Sequence, residues 1–291
     1  MIRIQSPGVL PALALCAATA LPAFAQAPSA GADSAKLGWK RQFNGLLNLS
    51  QAYYDNWSKG GADALTYELN LSGGALYDQE KYSWETKAKA VYGRTKVGNL
   101  ASRKSSDEGN VETIYTYKLA VMVNPFASLT AQTQFMPGFE YPDDTTRTQI
   151  SDSFDPTYFT QTVGVGVTPF KGFKERLGFS MKQTLSSEEF GFADDKETAE
   201  IETVRQEYGL SSITEYEAQL MENIKGSSRL EVFVNFKGWE EVDARWVNQI
   251  TAKVNTFVSV NFEFERLYDR DLSKSGQTRE SLGIGISLLK L

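Results

Sequence analysis

Between positions 65 and 77 apolar and polar side chains trade places at every step. Leu65, Tyr67, Leu69, Leu71, Gly73, Ala75 and Tyr77 form one set, Thr66, Glu68, Asn70, Ser72 and Gly74 the other. A helix would mix both sets around its circumference; an extended strand sends them to opposite faces. The same period of two runs through 82–92, 111–123, 177–185, 230–236, 242–254, 258–264 and 282–288, and each reads as a strand. Less regular strands begin near Gln42, Phe126, Tyr158 and Tyr208. The pattern predicts about twelve strands, most of ten or more residues, whereas soluble strands average about five or six and a tilted membrane strand needs about 9–11.

The connections have a rhythm of their own. Short ones fall at Asp78-Gln79-Glu80, Asn124-Pro125, 168–174, Met221-Glu222-Asn223 and Asn255-Thr256; others include 94–110, 137–155, 186–206, 237–241 and 269–277. Short turns opposite longer loops are the pattern of an outer-membrane barrel, and an even strand count puts both termini on the periplasmic side. The expected fold is therefore all-β: a single transmembrane antiparallel barrel, an up-and-down meander over 39–291. After the leader, every proline except Pro28 falls in a connection or at a strand edge, as an uninterrupted ladder requires. Aromatics gather near strand ends (Tyr77, Tyr82 and Trp84; Phe170 and Phe173; Phe257), which suits an interfacial girdle. The last strand keeps its phase through Leu282, Ile284, Ile286 and Leu288, yet closes on Leu289-Lys290-Leu291 without the terminal aromatic common in such barrels.

Residues 1–25 read as a cleaved signal peptide. Arg3 gives a weakly positive start, 9–21 are almost all apolar, and Ala23-Phe24-Ala25 makes a small-x-small cleavage site. A lipidated Cys16 is disfavoured by the bulk of Leu15 before it. Residues 26–38 are a flexible lead-in, rich at first in Ala, Ser, Gly and Pro. The mean hydropathy is mildly polar, which excludes a helical membrane protein but suits a barrel with one lipid face and one polar face. The formal charge of −6 becomes −7 once Arg3 leaves, and no basic stripe offers a footprint for nucleic acid. Cys16 is the one cysteine, and it leaves with the leader; the chain has no histidine. Disulfides are thus excluded from the mature protein, and the commonest general base and metal ligand is missing.

The motif Gln51-Ala52-Tyr53-Tyr54-Asp55-Asn56-Trp57-Ser58-Lys59-Gly60-Gly61 resembles the Asn-Trp-Ser-x-Gly-Gly signature of a bacterial family of unknown function, common in Bacteroidota. Thr133-Gln134-Phe135-Met136-Pro137-Gly138-Phe139 resembles a second family motif, and Ile150-Ser151 through Phe154-Asp155-Pro156-Thr157-Tyr158 a third. Glu280-Ser281-Leu282-Gly283-Ile284-Gly285 looks like the closing strand. The resemblance spans most of the mature chain and implies an exported outer-membrane barrel with no assigned activity. Physically, Asn56, Trp57, Gly60 and Gly61 suit a first hairpin loop: the glycines permit positive φ, and Trp57 packs as a rim anchor or grips a ligand.

Charges occupy the inward phase. Glu68, Glu85, Lys87, Lys89, Glu112, Lys118, Arg176, Lys182, Arg229, Glu231, Asp243, Arg245, Lys253, Glu263 and Glu265 all lie opposite the apolar sets. They either pair across the lumen and fill it, or line a water-filled path that selects solutes; at about twelve strands a narrow or occluded channel is expected. No cofactor or metal is implied. The carboxylate pairs Glu188-Glu189, Asp194-Asp195 and Asp143-Asp144 sit in polar loops without the spacing of a calcium loop. The functional expectation is a small-solute channel or structural envelope component that meets outer-membrane lipid, lipopolysaccharide and the barrel-assembly machinery. A lipid- or lipopolysaccharide-modifying enzyme and a soluble periplasmic ligand-binding protein are the alternatives.

Overall fold

The computed structural model describes residues 37–54, 62–120, 122–143, 146–195, 198, 200–238, 242–269 and 275–290. The expected leader, most of the lead-in and the loop of Asn56, Trp57, Gly60 and Gly61 lie outside them. The strands are β1 (Gly38–Ala52), β2 (Ala64–Asp78), β3 (Tyr82–Val97), β4 (Arg103–Tyr117), β5 (Val123–Thr133), β6 (Gly138–Glu140), β7 (Thr148–Ser151), β8 (Thr157–Val167), β9 (Phe173–Leu185), β10 (Val204–Met221), β11 (Ile224–Asn235), β12 (Val242–Lys253), β13 (Val258–Tyr268) and β14 (Gln277–Lys290). All but the short β6–β7 hairpin form one closed antiparallel barrel, each strand beside its sequence neighbour and β1 beside β14. The expected twelve-stranded meander is what the chain forms.

The alternation divides the side chains as expected. Phe179, Leu282 and Trp84 stand outward, 64%, 66% and 53% exposed, while Glu112 and Arg176 point inward and are only 4% and 7% exposed. Gly38 pairs with Asp78 beside the 79–81 turn, and Val258 pairs with Ile286 near the end of β14. Both ends of the sheet therefore lie at the rim of short turns (79–81, 118–122, 168–172, 222–223 and 254–257).

Two boundaries differ from the sequence reading. The expected long loop at 94–110 is mostly strand: β3 runs on to Val97, 98–102 make a tight connection, and β4 starts at Arg103. The polar run Arg103-Lys104-Ser105-Ser106-Asp107-Glu108-Gly109-Asn110 hides a strand because little of it faces lipid. Consequently the next turn lies at 118–122, not at Asn124-Pro125, and Pro125 stands within β5. The β4–β5 ladder begins only at Phe126, so the missing N–H of Pro125 interrupts nothing on that side.

Beyond the end of β5 the second and third sequence motifs pack on each other. The Gln134 side-chain amide donates to the backbone carbonyls of Asp152 (3.0 Å) and Asp155 (2.7 Å), and the Gln134 backbone carbonyl accepts from the Phe154 N–H at 2.8 Å. Phe135 meets Phe154 edge-on with centroids 6.1 Å apart. Asp107 of β4 accepts the amides of Phe135 and Met136, both at 2.9 Å, while Lys104 pairs with Asp107 at 3.0 Å. Asp155 reaches the next loop through the Ser187 amide (3.0 Å) and hydroxyl (2.6 Å).

The seam that closes the barrel is the shortest of the barrel's ladders among the described residues. β1 and β14 share six residue pairs, with an irregularity at Gly45/Leu46, against fifteen between β1 and β2. At Gly164, where β8 meets β9, a Cβ would lie 2.0 Å from the Leu177 carbonyl oxygen. Gly164→Ala should destabilise the barrel by about 3 kcal/mol through overpacking. Gly166→Ala, with its nearest atoms at 3.7 Å, should be close to neutral. Urea midpoints of the two refolded variants, compared with wild type, check the pair.

Candidate functional site: an ion-paired lumen

The lumen holds three clusters of charge. In the first, Glu112 of β4 receives two arginines. Arg176 of β9 donates to its Oε1 at 2.9 Å, and Arg229 of β11 reaches Oε1 at 3.2 Å and Oε2 at 3.4 Å. Glu215 of β10 closes the group by accepting from Arg229 and, at 3.4 Å, from Arg176; Glu231 takes the Arg229 Nε at 2.6 Å. Leaving water is costly for such groups, so each needs an opposite charge and filled hydrogen-bond positions. Sharing partners supplies both.

The second cluster crosses the barrel. Arg245 of β12 donates to Glu108 of β4 at 2.9 Å and to Glu265 of β13 at 2.7 Å. Strands β4 and β12 are six places apart whichever way the ring is followed, so this pair joins opposite walls. The width along that axis is no more than an arginine and a glutamate can bridge. Arg279 of β14 binds Glu263 (2.6 Å) and Glu265 (3.1 Å), Gln249 donates to Glu263 at 2.6 Å, and Lys89 of β3 lies 3.7 Å from Glu108 and 3.9 Å from Glu263. The third cluster sits toward the long loops: Lys182 is 2.5 Å from Asp243 and 3.9 Å from both Glu207 and Asp269, and Arg205 is 3.4 Å from Glu207.

Toward the short-turn rim the lumen stays open as a cup of about 810 Å³. Its wall comes from β1–β4 and β10–β14 and is rich in amides and hydroxyls, among them Asn44, Asn70, Ser72, Gln249 and Asn261. Opposite, β5, β8 and β9 contribute nothing to the cup, and Phe126 and Thr162 are buried there.

Most inward charges expected from sequence meet in these clusters. Glu68 stands nearby, accepting from Ser106 at 2.5 Å and Asn48 at 3.3 Å. Glu85 and Lys87 pair with each other at 3.3 Å, and Lys253 lies at the mouth of the cup. Lys118 also stands apart from the three clusters. It lies just past β4 and clasps the rim turn, 2.5 Å from both Asp78 Oδ1 and the Gln79 carbonyl. Sequence reasoning missed Glu108, Glu207, Glu215, Asp269 and Arg279. Glu108 was hidden by the presumed loop; Glu207 and Glu215 belong to β10, whose outward set includes Ser212 and Thr214. Of the loop carboxylates, Glu188, Glu189 and Asp143 are exposed. Among the described residues no group of three or more metal-ligating side chains is disposed to hold an ion.

A closed antiparallel barrel with an apolar outer face and a charged interior belongs to the class of transmembrane β-barrels. Residues 49–139 match a family described as a protein of unknown function (DUF3078). That stretch contains the Asn-Trp-Ser-x-Gly-Gly motif and the 133–139 motif; the third and closing motifs lie beyond it. No curated protein matches the chain. Among solved structures, the COG4313 outer membrane channel from Pseudomonas putida F1 aligns with TM-score 0.41 and 9% identity, over 87% of this chain and 94% of that one. The translocator domain of autotransporter NalP from Neisseria meningitidis aligns with TM-score 0.38 and 10% identity, over 87% and 90%. A TodX monoaromatic hydrocarbon channel mutant aligns with TM-score 0.37 and 9% identity, over 80% and 75%.

Removing the shared carboxylate should cost far more than removing a rim one. Glu112→Gln takes the shared carboxylate from two guanidinium groups, which keep Glu215 as a partner, and should lower stability by about 2 kcal/mol. Glu85→Gln, which breaks a half-exposed pair, should cost under about 1 kcal/mol. Urea unfolding of both variants in the same detergent checks the contrast.

Proposed function

We propose that this protein is an outer-membrane barrel acting as a narrow channel for small polar solutes, held shut at mid-lumen by ion pairs. The Glu108–Arg245 bridge between opposite walls carries the reading, because it lies above an open, polar cup. A solute entering from the short-turn side meets amides and hydroxyls first, then a lattice of paired charges. Ion pairs can exchange a partner for water or for a passing polar group, so the lattice acts as a gate where an apolar plug would be a wall. Short turns would face the periplasm and long loops the outside, with lipid and lipopolysaccharide against the apolar belt and the barrel-assembly machinery inserting the chain.

The same pairing favours a second reading, a structural envelope component whose lumen never opens. The enzyme alternative has little support: the lumen carboxylates are engaged by arginine and lysine, and no histidine is present to act with them. A soluble ligand-binding protein is disfavoured by the outward row of large apolar side chains.

Planar-bilayer recording separates the first two. Wild-type barrel, folded as judged by heat-modifiable migration, should show small unit conductance. Glu108→Ser combined with Arg245→Ser should raise it severalfold by removing the bridge. Silence from both folded proteins would sink the channel reading and leave the structural one.

A further inference from the structure

The outer wall at the short-turn rim contains a built groove. Strand register places Trp39, Tyr77, Trp84 and Tyr115 in one outward row across β1, β2, β3 and β4. The next row inward along the strands is Arg41, Ala75, Thr86 and Thr113, and the row beyond is Phe43, Gly73, Ala88 and Val111. Small side chains thus lie behind an aromatic lip. The aromatics are braced: Trp39 lies 5.0 Å from Tyr77, Tyr82 stacks on Tyr115 at 5.7 Å, and the Trp84 indole donates to Thr113 at 2.7 Å. The result is a cleft of about 570 Å³ walled by these rings and floored by Ala75 and Thr86.

At one end of the small row stands Arg41, opposite Ala75. Its guanidinium carbon lies 5.4 Å from the Trp39 ring centroid. No carboxylate among the described residues forms an ion pair with it. A cation on a lipid-facing wall is costly unless it finds an anion or snorkels to the interface. Folding back over Trp39 aims Arg41 at the level where lipid phosphates lie, and a guanidinium offers them paired donors.

We propose that this groove is a binding site for one anionic glycerophospholipid of the leaflet at the short-turn rim. Arg41 holds the phosphate, and an acyl chain lies along the small row behind the aromatic lip. The two halves of the site match the two halves of such a lipid: a lone cation at one end, an apolar trough beside it. Two neighbouring trough residues, Thr86 and Thr113, share a 2.9 Å hydrogen bond, and Thr113 also accepts from the Trp84 indole, so much of their hydrogen-bonding capacity is met within the wall. The proposal rests on the membrane reading above.

Native mass spectrometry of the full folded chain, released from micelles holding equal amounts of dioleoyl phosphatidylglycerol and dioleoyl phosphatidylcholine, tests it. Wild type should retain one phosphatidylglycerol in preference to phosphatidylcholine. Arg41→Gln should weaken that retention about tenfold, the loss of a charged hydrogen-bonding partner, and Arg41→Lys should recover part of it. Ala75→Leu, which fills the trough and keeps the cation, should reduce retention of both lipids. Equal retention of the two lipids by wild type, or undiminished phosphatidylglycerol on Arg41→Gln or Ala75→Leu, overturns the site. Heat-modifiable migration is read on every sample: its absence from wild type would fail the membrane reading itself, whereas its presence with unselective retention fails only the groove.

Discussion

A closed antiparallel ladder gives each side chain one of two addresses, and everything else in this protein follows from keeping the addresses apart. Closure satisfies the backbone without leaving an edge, which is what a hydrocarbon surround demands. It also encloses whatever faces inward. The inward carboxylates and guanidinium groups cannot reach bulk solvent by bending away, so they must find each other. Glu112 serves Arg176 and Arg229 at once, and Arg245 serves two carboxylates from different strands. The lumen clusters are therefore a product of confinement as much as of any solute.

The two ends of the barrel solve different problems. At the short-turn rim, tight turns and a clasp such as Lys118 on Asp78 hold the wall, and aromatics mark the boundary. At the other end β4 outruns β5, leaving the upper part of one strand without its neighbour on that side. The Gln134–Met136 segment and the β6–β7 hairpin fill the place, with Asp107 taking two of their amides. A carboxylate on an outward phase would be misplaced against lipid; here it is covered by protein and has its donors.

The architecture was largely legible because period-two alternation survives wherever a strand has lipid on one face. It failed where that condition failed. The first half of β4 is shielded or inward along much of its length, so it carries no apolar phase, and its polar residues imitate a loop. That one displacement moved the next turn and hid Glu108, the residue that meets the opposite wall. Phase alone identified most inward charges, but not their partners: Arg245 and Glu108 are far apart in sequence and meet only because β12 lies across the ring from β4. Lys118 shows the converse limit, since it has the inward phase but lies beyond the last rung of its strand. The four-strand groove at Arg41 requires the register of three ladders, which no single strand encodes.

The short β1–β14 seam has a meaning beyond geometry. Every other ladder of the barrel joins segments close along the chain, whereas this one must bring the first and last strands together, so among the barrel's ladders it carries the largest closure entropy and the fewest rungs to offset it. On its inner side β14 presents Gly283 and Gly285, and the Asn261 amide passes over them to Asn48 at 3.2 Å, tying β13 directly to β1. The molecule is in effect an open curved sheet fastened by a clasp. By rung count, that clasp is the weakest line in the wall of the barrel.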